Sequence, residues 1–301
     1  MIESIVCLCN TAVSTPLIGF CGSRGIGLSF HSGSGRFYGR VSGPVSGNVL
    51  LRKRQYSLIG TDRSADVVRN MLSGKLANSR NYLLKSARGA DECNAASLRK
   101  ASEELSEAHN KLLLARDIDS MRGIEGAAAS IYFRVFDDLL KTPGSEMKFV
   151  RRSRRPPENR INALLSFAYM LLKNDVQSAL ESVGIDPAAG YLHTLRPGRP
   201  SMALDLMEEM RSPLCDRFIV SLVNLKMIES DDFEIKANEY RLKEKARRIV
   251  IDRWQKRKRE EIMHPFLKEK ISTGLIPYVQ AMLWARYFRG DINGYPPFIW
   301  R

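Results

Sequence analysis

The sequence predicts an α+β fold in which a small N-terminal β-rich domain precedes a larger all-α domain. Residues 1–58 hold short apolar runs separated by glycine and serine, the pattern of strands joined by turns. From Asp62 onward, apolar residues recur every three or four positions, as on the buried face of a helix. With 301 residues, 44% of them hydrophobic, the chain is long enough to bury a sizeable core in two domains.

The glycine and serine residues that separate the apolar runs predict where the strands and turns of the N-terminal domain, residues 1–58, lie. A more helical rhythm separates the first two strand-like runs, and Gly33-Ser34-Gly35 between two runs is typical of a hairpin turn. The strand-like runs are residues 4–8, 27–30, 37–41 and 49–51, and the helical stretch is 15–22.

The helical domain is expected to span residues 64–301, after a linker at residues 59–63. Prolines at positions 213, 265 and 277 are expected to mark helix starts or kinks. The predicted helices cover residues 65–86, 95–115, 118–140, 159–172, 175–182, 205–228, 235–263 and 267–288.

The charge balance favours a polyanionic partner. Lys and Arg number 47 against 33 Asp and Glu, which gives a net charge of +14 and a pI near 9.7. A nucleic acid, DNA or RNA, is the partner expected from such a surplus. Two basic runs, 148–155 and 236–259, are suited to follow a phosphate backbone. For the second run, a solvated helix face is an equally good interpretation, because acids interrupt it.

Cysteine usage and hydropathy indicate the cellular compartment in which the protein is expected. The five cysteines, at 7, 9, 21, 93 and 215, form neither paired CxxC motifs nor an even disulfide framework, which indicates a reducing compartment without structural zinc. The longest apolar run, 163–172, is far shorter than the roughly 20 residues of a membrane span. The start lacks the basic and then apolar pattern of a signal peptide. We therefore expect a cytoplasmic protein with no membrane partner.

A histidine and two acids suggest a metal site. Asp205 and Glu208 stand three apart in a helical pattern, so their side chains share one face, and they repel each other unless a cation lies between them. His193 precedes them on a loop and is able to reach the same point. Oxygen ligands with one imidazole favour Mg²⁺ or Mn²⁺. Taken singly, His193 is more often a core or capping residue, and the acids are more often a solvated face.

Glu125 is a third acid with unusual neighbours. Gly123 and Gly126 flank it and thin the helix surface, which lets a carboxylate approach a metal or a phosphate closely. Ser120 is a possible cap for this helix. Read in isolation, a solvated surface glutamate is still the better interpretation of this residue.

Four segments carry a resemblance to a known family. They are residues 122–128 with Tyr132 and Phe133, residues 162–169, residues 190–193, and residues 205–208 with Arg211 and Asp216. In this order and spacing they resemble the CRISPR-associated protein one family, the nuclease and integrase of spacer acquisition. Near the end of the chain, segments 264–267, 278–281, 289–291 and 295–298 resemble its subtype I-C branch.

The resemblance implies roles for eight residues. Glu125, His193 and Glu208 match the family's three ligands of a catalytic Mg²⁺ or Mn²⁺ ion, and Asp205 matches an acid that supports the site. Arg122 matches an arginine near the scissile phosphate. The residues that the resemblance implies to be close to the DNA are Tyr169, Arg196 and Arg199.

The resemblance also implies a reaction and partners. In the family, the 3′-hydroxyl of a protospacer strand attacks a repeat phosphodiester, which inserts a new spacer into a CRISPR array as an antiviral defence. Double-stranded DNA, CRISPR-associated protein two and a second copy of the chain, forming a homodimer, are the implied partners. Family members begin with further strands, so the amino terminus is expected to be truncated and the β domain incomplete. Two alternatives stay open: a DNA-binding scaffold without chemistry, and a metal-dependent nuclease acting on RNA or branched DNA.

Overall fold

A computed structural model of the protein describes residues 4–8, 11–32, 37–41, 43, 49–141, 146–154, 156–236 and 239–300. A small sheet lies at the start of the chain and helices dominate the remainder, which confirms the predicted fold class. One contiguous hydrophobic core extends from Leu51 to Phe298. Among the helices in the described ranges, none combines the length and the apolarity needed to cross a membrane.

The N-terminal sheet contains three strands, β1 (Ser4–Cys7), β2 (Gly27–His31) and β3 (Phe37–Val41). β1 pairs with β2 in parallel and β2 with β3 in antiparallel register. Helix α1 (Thr15–Ser23) connects the parallel pair, and Ser14 caps it by accepting a hydrogen bond from the Leu17 amide. These three strands and this helix confirm the predictions for their segments. The turn predicted at residues 33–35 lies outside the described residues.

The strand predicted at residues 49–51 is wrong, because this segment begins helix α2 (Val49–Ser57). Leu51 and Gln55, one helical turn apart, are both buried. The Gln55 amide nitrogen donates to the carbonyl oxygens of Asp186 and Ala189 at 2.8 and 2.9 Å, and its oxygen accepts from the Asp186 amide at 2.9 Å. These contacts with a segment 130 residues away, invisible in the local pattern, fix the helix. The predicted domain boundaries stay predictions.

The next four helices match the apolar spacing closely. Three of them have an N-terminal capping side chain. Asp91, Asp117 and Asn159 each accept a hydrogen bond from the backbone amide three residues further along the chain. Asp117, and not Ser120, is therefore the cap of α5. The two helices predicted at residues 159–172 and 175–182 form one continuous helix. The four helices are α3 (Asp62–Ala87), α4 (Glu92–Leu114), α5 (Ile118–Arg134) and α6 (Arg160–Ser182).

The helix predicted at residues 205–228 is divided into four pieces of different pitch. α7 (Ser201–Met207) passes into a 3₁₀ turn (Glu208–Met210), a π-helical turn (Arg211–Asp216) and α8 (Arg217–Asn224). Pro213, which has no amide hydrogen to donate, lies in the π turn and is one cause of the irregularity. The irregular turns begin at Glu208, which is one of the predicted site residues.

Two short hairpins interrupt the part predicted to be all helical. The helix predicted at 235–263 is reduced to α9 (Glu244–Lys258), and α10 (Ile276–Arg289) follows with Pro277 in its first turn. Pairing between short strands decides these segments, and alternation over only three or four residues is too short to signal it. The hairpins pair β4 (Phe233–Lys236) with β5 (Glu239–Leu242) and β6 (Glu261–Met263) with β7 (Lys270–Ser272).

The C-terminal segment returns to helix α3 and is held by a buried asparagine. Asn78 donates to the carbonyl oxygens of Glu209 and Phe298 at 2.7 and 2.8 Å, and accepts from the Trp300 amide at 2.7 Å. The Asn78 side chain thus joins α3, the 3₁₀ turn after α7 and the end of the chain. It supports from behind the turn that carries Glu208.

Asn78→Ala is expected to lower the free energy of unfolding by about 2–4 kcal/mol, because three buried backbone groups lose their partner. Urea unfolding followed by circular dichroism measures the change. The matched control is Asn81→Ala on the same helix, which removes one bond, to the Trp300 carbonyl, and is expected to cost about 1 kcal/mol. Equal losses in the two variants contradict the prediction.

Candidate active site

The four residues predicted to form the site come together from three parts of the chain. Glu125 lies on α5, His193 on the loop between α6 and α7, Asp205 on α7 and Glu208 at the start of the 3₁₀ turn. Both α5 and the 3₁₀ turn pack on α3, which brings Glu125 and Glu208 to the same cleft. Residues separated by more than 80 positions thereby face one another.

Asp205 organises the loop that carries His193. Its fully buried carboxylate accepts from the backbone amides of Tyr191 at 2.5 Å, Leu192 at 2.9 Å and His193 at 3.0 Å. A Cβ at Gly190 would lie 2.7 Å from an Asp205 carboxylate oxygen and 2.6 Å from the Ser201 carbonyl carbon, so only glycine fits there. The loop is wrapped around a single carboxylate.

The same carboxylate orients the His193 ring. Nδ1 of His193 lies 2.6 Å from Asp205 Oδ1, and Nε2 lies 3.9 Å from Glu208 Oε1. Because an ionised carboxylate only accepts hydrogen bonds, Nδ1 of His193 carries the proton that Asp205 accepts, and Nε2 is the ring nitrogen that faces Glu208. A carboxylate behind the imidazole is the usual arrangement around a metal-binding histidine.

Two cations neutralise the carboxylates of the cleft. Lys75 Nζ, on α3, forms ion pairs with both Glu125 and Glu208, the latter at 2.7 Å. Arg211 pairs with the other oxygen of Glu208 at 2.8 Å. Burial by itself raises the pKa of Glu208, but Arg211, Lys75 and His193 outweigh it, so the pKa lies below its ordinary value. Glu208 is therefore a carboxylate at neutral pH.

Glu209, the next residue, has the opposite character. It is fully buried and points away from the cleft, where it accepts from Tyr295 at 2.5 Å and Gln280 at 2.8 Å. Burial raises the pKa of Glu209 to about 8 despite these hydrogen bonds. Adjacent glutamates thus serve different purposes: one supplies charge to the cleft and the other joins the core.

The donor set fits a hard divalent cation. Two carboxylates and an imidazole are suitable ligands for Mg²⁺ or Mn²⁺. Glu208 Oε2 is a buried oxygen whose partner within the described ranges is the Lys75 ammonium at 2.7 Å. Over those ranges, no three His, Cys, Asp or Glu side chains are already grouped as a metal site. The Lys75 ammonium lies between Glu125 and Glu208, where they would share an ion.

The carboxylates open onto a cleft of about 520 Å³, measured together with the solvent at its mouth. Its walls combine apolar and basic groups, which suit the sugar and phosphate parts of a nucleic acid strand. Ala128, Phe133, Tyr169 and Arg154 contribute to them. Near Glu125, the helix surface is open, since no heavy atom lies within 4 Å of the Cβ positions of Gly123 and Gly126.

Gly126→Ala is expected to raise the free energy of unfolding by about 0.5–1 kcal/mol, because alanine favours the helix and its methyl group meets open space. Gly74→Ala, on α3, serves as the matched contrast. There a Cβ would lie 2.8 Å from the Pro297 side chain, so destabilisation by about 1–3 kcal/mol is expected. Thermal unfolding of both variants measures the two shifts, and shifts of the same sign contradict the prediction.

The structure places the four residues expected near DNA in different environments. Arg122 donates to the Leu192 carbonyl at 2.6 Å and pairs with Asp119, so it braces the His193 loop. Arg196 is exposed and Arg199 is half-buried on that loop. Tyr169 donates to Asp216 at 2.6 Å, and its ring lies between the guanidinium groups of two arginines, Arg152 and Arg211. Their contacts with DNA stay predictions.

The two basic runs each contain internal and exposed charges. Arg152 is largely committed to the interior through Asn162 and the Tyr169 ring, whereas Arg154 lines the cleft. On α9, Trp254 is buried, and exposed pairs such as Arg248 with Glu244 partly balance the surface. The first run thus lies nearer the cleft than the second.

Fold and site together define a strongly basic α+β protein with a carboxylate–imidazole cleft, a combination typical of proteins that act on nucleic acids. The sequence model of the family described as CRISPR associated protein Cas1 matches residues 1–256. The chain belongs to the Cas1 family.

Relatives and solved structures agree with this assignment. The CRISPR-associated endonuclease Cas1 2 of Rhodospirillum rubrum is 45% identical over 307 aligned positions, which cover 100% of this chain and 89% of the relative. A casposase bound to integration product has a TM-score of 0.84 at 20% identity, over 98% of this chain and 81% of that one. A chain of a Cas6-RT-Cas1–Cas2 complex has a TM-score of 0.81 at 22% identity, over 99% of this chain and 32% of that one. At these identities, the two structures show a shared fold.

Lys75 is the site residue that the sequence interpretation missed. A signal was present, because Lys75 lies on the apolar face of α3, one turn from Met71, Leu72 and Ser79, all of them buried. A charge on such a face needs a partner, and here it has two. The partner acids lie 50 and 133 positions further along the chain, so the sequence did not identify them.

Proposed function

We propose that this protein is a metal-dependent DNA endonuclease and integrase that inserts spacers into a CRISPR array. The observation that carries the proposal is the proximity of three side chains: Lys75 joins Glu125 to Glu208, and Nε2 of His193 lies 3.9 Å from Glu208, with Asp205 behind the histidine. Family membership and the endonuclease name of the relative from R. rubrum support it. So does the fold shared with a casposase that is bound to its integration product.

In this proposal, Glu125, His193 and Glu208 hold Mg²⁺ or Mn²⁺. The ion would supply Lewis acidity, which lowers the pKa of an attacking hydroxyl and offsets the charge that develops on the scissile phosphate. Asp205 keeps the proton of His193 on Nδ1, so that Nε2 is free to act as a ligand. The 3′-hydroxyl of a DNA strand attacks a repeat phosphodiester: a new P–O bond forms, the bond from phosphorus to the 3′-oxygen of the repeat strand breaks, and that oxygen leaves as a hydroxyl. Water in place of the attacking hydroxyl gives cleavage.

Basic groups around the cleft are proposed to bind the DNA backbone. Arg154 lines the cleft, while Arg196 and Arg199 extend from the loop that Asp205 organises. Arg122 and Tyr169 hold this wall of the site in place through Leu192 and Asp216. CRISPR-associated protein two is a proposed partner, supported by the fold shared with one chain of a Cas6-RT-Cas1–Cas2 complex. A second copy of the chain is also proposed, on the family resemblance alone.

The test is strand transfer by the purified protein with CRISPR-associated protein two, using a duplex with free 3′-hydroxyl ends and a plasmid that carries the repeat. Joining that requires Mg²⁺ or Mn²⁺ and stops with EDTA is the expected result. DNA binding without any reaction in either metal would support an inactive scaffold instead. Faster cleavage of RNA or of a four-way junction than of the duplex would support a different nuclease.

A further inference from the structure

Lys75 lies where the proposed metal ion would lie. Its ammonium contacts carboxylate oxygens of both Glu125 and Glu208, and only 14% of its side chain is exposed. Glu208 is 3% exposed, so its charge is poorly screened by water. The two acids come from different elements, and a cation between them is what keeps them together in the cleft.

The four charged groups that contact one another at this point are balanced before any ion enters. Glu125 and Glu208 contribute two negative charges, and Lys75 and Arg211 contribute two positive ones. A divalent ion needs the carboxylate oxygens that Lys75 contacts, so the two cations compete for them. Once the ion is bound, the same groups carry a surplus of two positive charges. A phosphodiester, with its negative charge, reduces that surplus.

We propose that Lys75 is a resident cation that competes with the divalent ion for Glu125 and Glu208, and thereby couples tight metal binding to the presence of a DNA phosphate. The inference rests on the proposed function, since it takes these two residues as metal ligands. By linkage, the factor by which DNA tightens metal binding equals the factor by which the metal tightens DNA binding. The ion is retained mainly when substrate is in place.

The experiment titrates Mn²⁺ into the 301-residue protein and follows free Mn²⁺ by electron paramagnetic resonance. It is done with and without a duplex whose 3′ ends are dideoxy, so that no attacking hydroxyl is present. The variants are Lys75→Met and Lys75→Gln, with Lys85→Met as the matched control on the same helix, where Lys85 lies over the Trp300 ring. Glu208→Gln with the duplex serves as the blank for Mn²⁺ held by DNA alone.

DNA is expected to tighten Mn²⁺ binding to the wild-type protein by about fivefold or more, the lower range of couplings between two ligands. Without DNA, both Lys75 variants are expected to bind Mn²⁺ about fivefold more tightly than the wild type, with a smaller effect of DNA. Lys85→Met is expected to match the wild type.

Unchanged or weaker Mn²⁺ affinity in folded Lys75 variants without DNA overturns the inference. If neither variant folds, the wild-type titrations decide: equal affinity with and without the duplex overturns it as well. Failure of the proposed metal site has a different signature. In that case Glu208→Gln binds as much Mn²⁺ as the wild type under both conditions, whatever the Lys75 variants do.

Discussion

Glu125→Gln is expected to reduce strand transfer by about 10³-fold or more while the protein stays folded. The substitution keeps the shape of the side chain and removes the negative charge that the proposed ion and Lys75 both require. The Glu125 side chain is 26% exposed, and its ion-pair partner among the described residues is Lys75, so the cost in stability is expected to be about 1 kcal/mol. Initial rates of joining at saturating Mg²⁺, together with thermal unfolding, measure both effects.

Glu104→Gln is a closely matched control. The Glu104 side chain is 28% exposed and, in the part of the chain that the structure describes, pairs with Arg134, but it lies on α4 outside the cleft. Unchanged joining is expected for this variant. Joining by Glu125→Gln within tenfold of the wild type would remove Glu125 from the proposed ligands.

His193→Ala and Glu208→Gln are expected to lose joining to a similar degree. Glu208→Gln differs in stability, because it leaves Lys75 and Arg211 without the carboxylate that both of them contact.

Asp205→Ala is expected to lower the free energy of unfolding by about 3–5 kcal/mol and to abolish joining as well. Three backbone amides and the His193 ring lose their acceptor at once, and the carboxylate that they share is fully buried. Without the Asp205 carboxylate, the loop of residues 190–193 loses the hydrogen bonds that fix its conformation and the orientation of the imidazole.

Chemical unfolding of Asp205→Ala, with Asp175→Ala as the control, measures the difference. The Asp175 side chain is 17% exposed and accepts hydrogen bonds from Lys258 and Trp254, outside the loop, so its loss is expected to cost about 1–2 kcal/mol.

His193→Ala separates the two roles of Asp205, since it removes the imidazole but leaves the loop amides bonded. It is expected to lose joining and to keep most of the stability. Asp205→Ala with wild-type stability would contradict the role assigned to this carboxylate.

Helices with long apolar faces were predictable because their period is local. Helices α3 to α6 lie within a few residues of the segments expected from spacing, since each buries a continuous stripe. Two segments were predicted wrongly because their structure depends on contacts that a local period does not show. Residues 49–51 form a helix because Gln55 bonds to backbone 130 positions away, and residues 233–242 form a hairpin too short to show a clear alternation.

The sequence by itself determined the order of the two structural parts and the basic character, because periodicity and charge are properties of the chain. The four residues of the proposed site were predicted from the family resemblance of the motifs that contain them. Only the tertiary structure decided which groups stand between those residues. Lys75 reaches Glu125 and Glu208 because α5 and the turn after α7 both pack on α3, and Asp205 accepts from the loop because Gly190 lets the backbone approach. Contacts between distant segments depend on packing, which no local pattern of residues specifies.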